Sequence, residues 1–371
     1  MAEQDPYREI RPYKDSEVAD VVNQLVHNDE LVSAIAKYQF PWMAKHLSFL
    51  IKPCVRIAMA SKLGDVEDIA GFQQLMSGYM EKMIARSTTK LTCRGLDNLD
   101  PNESYLFISN HRDIAMDPAF VNWMLYQAGM STVRIAIGDN LLRKPYVSDL
   151  MRLNKSFIVN RSARAPREMM AALTQLSSYI EHSVVKDEES VWIAQREGRA
   201  KDGDDRTDPA LLKMLHMSQR KQRSFSEMPA HLKIVPVSIS YEYDPCDSRK
   251  AQELYALASN GSYEKSQYED INSIVTGITG FKGHVVVSFG EVIGEGFETP
   301  EALAAEIDRQ ILSNYYLHPS NKLAAGEAEG IAQDKANEFE GRLAELNDGV
   351  QQILRQMYAR PVLNQQALSE S

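Results

Sequence analysis

From residue 105 onwards, short apolar runs alternate with helical patterns, and this order decides the fold class. The runs are rich in β-branched and aromatic residues, which predicts strands. They lie at 105–109, 133–137, 156–160, 191–194, 234–240 and 284–290. Residues 166–185 place apolar side chains on one helical face after Pro166. The pattern predicts an α/β fold with a mixed, largely parallel sheet flanked by helices.

Helical patterns also occupy both ends of the chain. We expect three regions: residues 1–90 as an N-terminal helical region with a segment suited to membranes, 91–300 as the α/β domain, and 301–371 as a C-terminal helical extension. The last ten or so residues are expected to fray, as chain ends commonly do.

The stretch from Phe40 to Leu63 is apolar and aromatic, and its flanking charges are all basic. Pro41 and Pro53 are expected to divide it into short helices. Such a face is typical of a segment that lies in the headgroup layer of an anionic membrane. A helix packed on the main domain, with its lysines extended into water, explains the pattern equally well. No run of about 18 apolar residues predicts a membrane-spanning helix.

Charge and cysteine content narrow the class of protein. The chain has 41 basic and 51 acidic residues, a formal net charge of −10, which argues against a nucleic-acid partner. Its three cysteines are far apart in sequence and form neither a disulfide framework nor a zinc-ligand pattern. Residues 1–18 lack the apolar core of a secretory signal. We therefore expect a cytoplasmic protein, peripheral on the cytoplasmic face of a membrane, with no metal site.

The strongest local motif spans residues 104–120, where a buried strand leads directly into His111. At the end of a strand in an α/β sheet, side chains face the crevice where ligands bind. A histidine there acts as a general base if a carboxylate orients it. Asp117, just before Pro118, and Asp113 are the two candidate partners, although Asp117 also suits a helix start.

Further charged turns follow other predicted strands. Arg161 comes directly after the strand at 156–160, in a stretch with seven basic residues and one acid, which favours a phosphate ligand. The strand at 191–194 leads into the turn Arg196-Glu197-Gly198-Arg199, with Lys201 next. Glycine there permits close approach of a ligand to the backbone. The strand at 234–240 carries no polar chemistry and is interpreted as wall and core.

Taken in order, these blocks resemble the glycerolipid acyltransferases, the family of glycerol-3-phosphate and 1-acylglycerol-3-phosphate acyltransferases. The blocks are NHRDIAMD, FIVNR, REGR and IVPVSI, preceded by GLDNL. The family has four residues between its histidine and aspartate, whereas five separate His111 from Asp117. Asp117 is favoured over Asp113 because it keeps the family's junction with the helix.

The resemblance implies acyl transfer from acyl-CoA or acyl-carrier protein, a co-substrate rather than a bound cofactor, to a hydroxyl of a glycerol-phosphate or lysophospholipid. It makes His111 the base and Asp117 its orienting partner. It places Arg161, Glu197, Gly198 and Arg199 around the acceptor phosphate, with Lys201 as a weaker addition.

Several alternatives stay open. An acyl-thioester hydrolase would use His111 to activate water, and a non-catalytic phospholipid-binding protein would use the basic turns alone. The acceptor, the acyl chain length and the choice between CoA and carrier protein are not fixed by the sequence. Arg220, Lys221 and Arg223 are candidates for steering an acidic carrier protein.

Overall fold

The computed structural model describes residues 5–264, 266 and 269–370. Within them the strands are β1 (Thr88–Arg94), β2 (Leu106–Ser109), β3 (Arg134–Gly138), β4 (Ser156–Val159), β5 (Val191–Ala194), β6 (Ile234–Tyr241) and β7 (Gly283–Phe289). The helices are α1 (Asp15–His27), α2 (Asp29–Gln39), α3 (Pro41–His46), α4 (Ser48–Leu63), α5 (Ile69–Ser87), α6 (Met116–Gln127), α7 (Pro145–Leu153), α8 (Pro166–Glu181), α9 (Pro209–His216), α10 (Met228–His231), α11 (Asp247–Asn260), α12 (Glu269–Thr279), α13 (Pro300–Asn314), α14 (Pro319–Ala324), α15 (Gln333–Ala344) and α16 (Asp348–Glu370).

The chain forms two compact units. The first unit comprises Met1–Tyr79 and Arg134–Ala172, and the second comprises Met80–Val133 and Leu173–Ser371. The three regions inferred from the sequence stay a prediction.

The first unit is mainly helical. Its main cluster of buried side chains joins α1, α2, α5 and α7, through residues that include Val18, Leu25, Leu31, Phe72 and Leu153. A second cluster joins α2 to α4. This unit also contains β3 and β4, which pair in parallel with Ile135 beside Ser156 and Gly138 beside Val159.

The two prolines of the N-terminal apolar stretch have different effects. Pro41 is the first residue of α3, as expected, because a proline at that position loses no helical hydrogen bond. Pro53 was expected to separate two short helices. This was wrong, because Pro53 lies inside α4. Only one turn of α4 precedes it, so few backbone hydrogen bonds are lost.

The second unit is built on strands in the order β1-β7-β6-β2-β5. Neighbouring strands are parallel except β6 and β7, which are antiparallel. Every residue of β2 and β6 is buried, and α13 packs against β6. At the carboxyl end of β2, Ser109 lies level with Ala194 of β5 and Val237 of β6. The predicted α/β class, with a mixed, largely parallel sheet flanked by helices, is confirmed.

Strand β1 has no counterpart among the predicted runs. Its sequence, TTKLTCR, is largely polar, and its residues are half-buried or exposed. It pairs in parallel with β7, which is otherwise buried. Backbone pairing rather than an apolar side-chain pattern therefore defines this strand.

The C-terminal helices belong to the second unit and pack within it. A buried cluster joins α11, α15 and α16 around Tyr243, Phe339, Leu343 and Leu354. The expected frayed tail was wrong, because α16 continues to Glu370. The side-chain amide of Gln365 donates to the carbonyl oxygens of Leu312 (2.8 Å) and Tyr315 (2.7 Å) near the end of α13. These contacts hold the end of α16 in place.

None of the helices in the described part of the chain is both long enough and apolar enough to cross a lipid bilayer.

Candidate active site

His111 and Asp117 form a hydrogen-bonded pair at the carboxyl end of β2. The histidine Nδ1 lies 2.8 Å from Oδ2 of Asp117. Asp117 is fully buried, whereas the His111 side chain is partly exposed. The His111 ring also packs edge-on against Trp192 of β5, with ring centroids 5.8 Å apart. A turn that follows a buried strand thus presents an oriented imidazole at the edge of the sheet.

The backbone of the turn wraps around the Asp117 carboxylate. Oδ2 of Asp117 accepts hydrogen bonds from the backbone N–H of Arg112 (2.6 Å) and of Asp113 (2.9 Å). Asp117 is the second residue of α6, which begins at Met116. The chain between the two partners curls over the carboxylate, and this explains how five intervening residues still permit direct contact.

Asp113 has a different set of contacts from Asp117. Its Oδ1 accepts hydrogen bonds from the backbone N–H of Ala115 (3.0 Å) and Met116 (2.8 Å), which satisfies donors at the start of α6. Burial, with the nearby charge of Asp117, raises the pKa of the Asp113 carboxyl above its usual value. Asp117 rather than Asp113 is therefore the partner of His111.

Gly277 of α12 lies against Asp113. A Cβ atom at this position would be 2.0 Å from Oδ2 of Asp113, so only glycine permits the approach. Helix α12 thereby packs directly on the turn that carries His111.

Asn110, directly before His111, ties β2 to β6. Its side-chain oxygen accepts a hydrogen bond from the backbone N–H of Ile239 (2.8 Å), and its amide nitrogen donates to the Ile239 carbonyl (3.0 Å). The residue is completely buried. Such a two-way bond to a strand backbone fixes the start of the turn.

The turn after β5 lies beside the His111 turn. The backbone N–H of Ala200 donates to the carbonyl of His111 at 3.0 Å. Gly198 has a φ of 76°, a left-handed conformation that favours glycine, and both Glu197 and Gly198 are exposed. The structure therefore places the predicted residues of this turn near the predicted base.

The two cations of this turn differ in their surroundings. Lys201 forms an ion pair with Glu253 of α11. Arg199 is partly exposed. Burial opposes ionisation of Asp244, but Lys250 and, less strongly, Arg199 hold its pKa below the usual value. Of the two predicted cations, Lys201 is therefore the one whose charge a close ion pair neutralises.

Arg161 lies in the first unit, after β4, and is exposed. Its backbone N–H donates to Oδ1 of Asp139 (3.1 Å), and that of Ser162 donates to Oδ2 (3.1 Å). Another cation of the same basic stretch, Arg152, donates to the carbonyl oxygens of Arg8 and Arg11, which assigns it a structural role.

Tyr241, the last residue of β6, was missed by the sequence interpretation. Its hydroxyl donates to Oδ1 of Asp117 at 2.6 Å. The interpretation as wall and core covered residues 234–240, which are all buried. The predicted run stopped at residue 240, one residue short. A tyrosine that closes a buried strand was the available signal, because a buried hydroxyl needs a partner.

The geometry supports proton transfer at His111. Because Asp117 accepts the hydrogen bond at Nδ1, Nε2 is the ring nitrogen that can take up a proton. An oriented imidazole backed by a buried carboxylate is the arrangement of a general base.

Comparison with known proteins agrees with this chemistry. A family model described as Acyltransferase matches residues 90–240. A search of curated proteins finds no match. Among solved structures, the 1-acyl-sn-glycerophosphate acyltransferase PlsC from Thermotoga maritima is 14% identical, with 79% of this chain and 94% of that chain covered. The TM-score of the two structures is 0.37. The stretch that the family model matches, residues 90–240, contains both His111 and Asp117.

Proposed function

We propose that the protein transfers a fatty acyl group from an acyl thioester to a hydroxyl of a glycerol-phosphate or lysophospholipid. The observation that carries this proposal is the 2.8 Å contact between His111 and Asp117 inside the stretch that the acyltransferase family model matches. The donor is acyl-CoA or acyl-carrier protein, which enters as a co-substrate.

His111 starts the proposed reaction. Its Nε2 takes the proton of the acceptor hydroxyl, and the oxygen attacks the thioester carbonyl carbon. The new C–O bond forms, the C–S bond breaks, and the departing thiolate takes the proton from the imidazolium. Asp117 stabilises the imidazolium between these steps. Base catalysis of this kind contributes about 100- to 10,000-fold, and alignment of the two substrates supplies much of the remainder. These steps need no metal or redox cofactor.

The acceptor phosphate requires cationic or N–H donors. Arg161 is proposed for this role from its place after β4 and its exposure. Arg199 is proposed through its guanidinium, and Glu197 and Gly198 through their backbone N–H groups, because they belong to the turn that contacts the His111 backbone. Lys201 is the weakest of these assignments, because Glu253 already neutralises its charge.

The first unit offers a surface suited to lipid. In α3 and α4, Trp42 is 67% exposed, Phe49 71% and Ile57 69%. Lys45 and Lys52 lie in the same helices. Exposed aromatic side chains beside cations are typical of proteins that rest in the headgroup layer. We propose that this surface holds the protein on the cytoplasmic face of a membrane, where a lysolipid acceptor is found.

The basic segment after α9 is a candidate contact for a carrier protein. Arg220 and Lys221 are exposed, and Arg223 is half-buried. Charges of this kind accelerate encounter with an acidic partner.

The test is thiol release from palmitoyl-CoA, measured with glycerol 3-phosphate, lysophosphatidate, another lysophospholipid and no acceptor. We expect release that requires one acceptor and is lost in His111→Ala. His27→Ala is the matched control, because His27 is exposed at the end of α1 and its ring bonds the carbonyl of Asn23 in the same helix.

Other outcomes contradict the proposal. Release without any acceptor would identify a thioesterase. If neither palmitoyl-CoA nor palmitoyl-carrier protein reacts while lysophosphatidate still binds, the protein is a non-catalytic lipid binder.

A further inference from the structure

Tyr241 contacts Asp117 through its hydroxyl. Its side chain is buried at the end of β6, and its hydroxyl lies 2.6 Å from Oδ1 of Asp117. Burial, with the charge of Asp117, raises the pKa of the Tyr241 hydroxyl well above its usual value. The hydroxyl therefore remains protonated and donates to the carboxylate.

The surrounding structure fixes the Tyr241 ring. Its backbone pairs with Val285 of β7. Its ring packs edge-on against Phe120 of α6, with centroids 5.9 Å apart. Two residues earlier, Ile239 binds the side chain of Asn110 through its backbone. The end of β6 therefore holds both the start of the His111 turn and the carboxylate of Asp117.

The two oxygens of Asp117 have separate sets of donors. Oδ2 faces the backbone N–H groups of Arg112 and Asp113 and the ring of His111. Oδ1 accepts from the Tyr241 hydroxyl. Without that bond, Oδ1 would be a buried charged oxygen short of a donor, and rotation of the carboxylate would relieve it at the expense of the contact with His111.

Charged groups from several elements surround this pair. Arg112, Asp113 and Asp117 belong to the turn and α6, and Asp205 follows the turn after β5. Asp244, which follows β6, binds Lys250 of α11. Of the groups that influence Tyr241, only Asp117 forms a hydrogen bond with its hydroxyl among the described residues.

We propose that Tyr241 is a positioning residue for acyl transfer. Its hydroxyl holds the Asp117 carboxylate so that Oδ2 stays in contact with Nδ1 of His111. The inference rests on the proposed function.

The first variant is Tyr241→Phe, which keeps the ring and removes the hydroxyl. We expect kcat to fall about 10-fold, as for loss of one hydrogen bond to a charged group, with donor and acceptor KM unchanged. We also expect the acid limb of kcat/KM to move to lower pH, because a carboxylate that has rotated away from Nδ1 stabilises the imidazolium less. Tyr243→Phe is the matched control, since Tyr243 is buried two residues further on and does not bond to Asp117.

A double-mutant cycle separates positioning from a packing effect. If Tyr241 acts through Asp117, Tyr241→Phe in the Asp117→Asn background should cost less than 2-fold further activity. Full additivity, or a wild-type pH profile in Tyr241→Phe, would overturn the inference. A thermal unfolding midpoint for each variant identifies losses caused by misfolding. If the wild type transfers acyl groups but Tyr241→Phe equals it, this inference fails and the proposed function stands. If the wild type itself shows no transfer, the proposed function fails and Tyr241 loses the role assigned here.

Discussion

Arg112 and Asp205 form a buried ion pair behind the His111 turn. The Nη2 of Arg112 lies 2.6 Å from Oδ2 of Asp205, and their side chains are 11% and 1% exposed. The same guanidinium donates to the carbonyl of Gly203 (3.1 Å) and lies over the ring of Tyr315, 5.7 Å from its centroid. The extra residue between His111 and Asp117 is thus part of a turn that the protein interior holds firmly.

Removal of one partner of this pair should destabilise the protein strongly. Asp205→Ala leaves the Arg112 charge buried without its carboxylate, which costs about 3–5 kcal/mol in the free energy of unfolding. Denaturant unfolding checks this value. Asp202→Ala, at an exposed position of the same loop, should change the unfolding free energy by about 0.5 kcal/mol or less. Equal effects of the two variants would show that the ion pair is unimportant.

The two aspartates of the turn should differ in their effect on activity. Asp117→Asn removes the charge that stabilises the imidazolium, so we expect kcat to fall about 100- to 10,000-fold. Asp113→Asn keeps the oxygen that accepts from Ala115 and Met116, so activity should stay within a few-fold of wild type. Steady-state thiol release measures both. A larger loss in Asp113→Asn would transfer the orienting role to Asp113.

The strands and the His–Asp pair could be predicted because their signals are local. Every strand of the described residues except β1 has an apolar run within one residue of its bounds. His111 and Asp117 are six residues apart, and the motif that contains them determines their contact. Strand β1 was not predicted, because a half-exposed strand at the edge of a sheet needs no continuous apolar run.

Tyr241 could not be assigned to the site from the sequence, because its contact is non-local. It lies 124 residues from Asp117, and its hydroxyl reaches the carboxylate only through the register of β6 between β2 and β7. A shift of one residue would turn this side chain to the other face of the sheet. Lys201 and Arg152 show the same limitation, since their ion-pair and backbone partners are distant in sequence.

Arg161→Ala should weaken acceptor binding. Loss of a charge-assisted contact to phosphate predicts an acceptor KM about 10- to 100-fold higher, with little change in kcat at saturating acceptor. Arg164→Ala is the matched control, because Arg164 is exposed three residues further along. Acceptor titration at fixed palmitoyl-CoA gives both constants. An unchanged KM in Arg161→Ala would remove Arg161 from the phosphate site.

Because of Lys282, we expect the free energy of unfolding to rise at alkaline pH. It is fully buried, and its Nζ donates to Oγ of Ser87 (3.0 Å) and to the carbonyl of Gly280 (2.8 Å). Burial lowers its pKa from 10.5 to about 8. Between these two values the unfolded chain binds the proton that the folded chain has lost, so the free energy of unfolding rises with pH.

Lys282→Met isolates this effect from other groups that titrate at alkaline pH. The difference in unfolding free energy, wild type minus variant, should increase from pH 8 to pH 10.5 and be level below pH 8. Urea unfolding at fixed ionic strength measures it. A difference that stays constant across this range would show that folding does not shift the ionisation of Lys282.

The exposed aromatic side chains of α3 and α4 should control membrane binding. The double variant Trp42→Ser/Phe49→Ser removes two aromatic rings that are more than half exposed. Burial of one such side chain in lipid is worth about 1.5–3 kcal/mol, so partition onto vesicles should weaken by at least about 100-fold. Sedimentation with vesicles of phosphatidylcholine and phosphatidylglycerol measures the change.

Two controls distinguish lipid insertion from nonspecific binding to vesicles. Tyr126→Ser removes an exposed aromatic of α6 and should leave binding unchanged. Pure phosphatidylcholine vesicles should bind the wild type more weakly than the anionic mixture, because the basic residues of α3 and α4, Lys45 and Lys52 among them, each contribute about 1 kcal/mol only at a negative surface. Wild-type binding by the double variant would show that α3 and α4 do not insert. The aromatic residues would then be free to serve a protein partner, and the acceptor would have to reach His111 by another route.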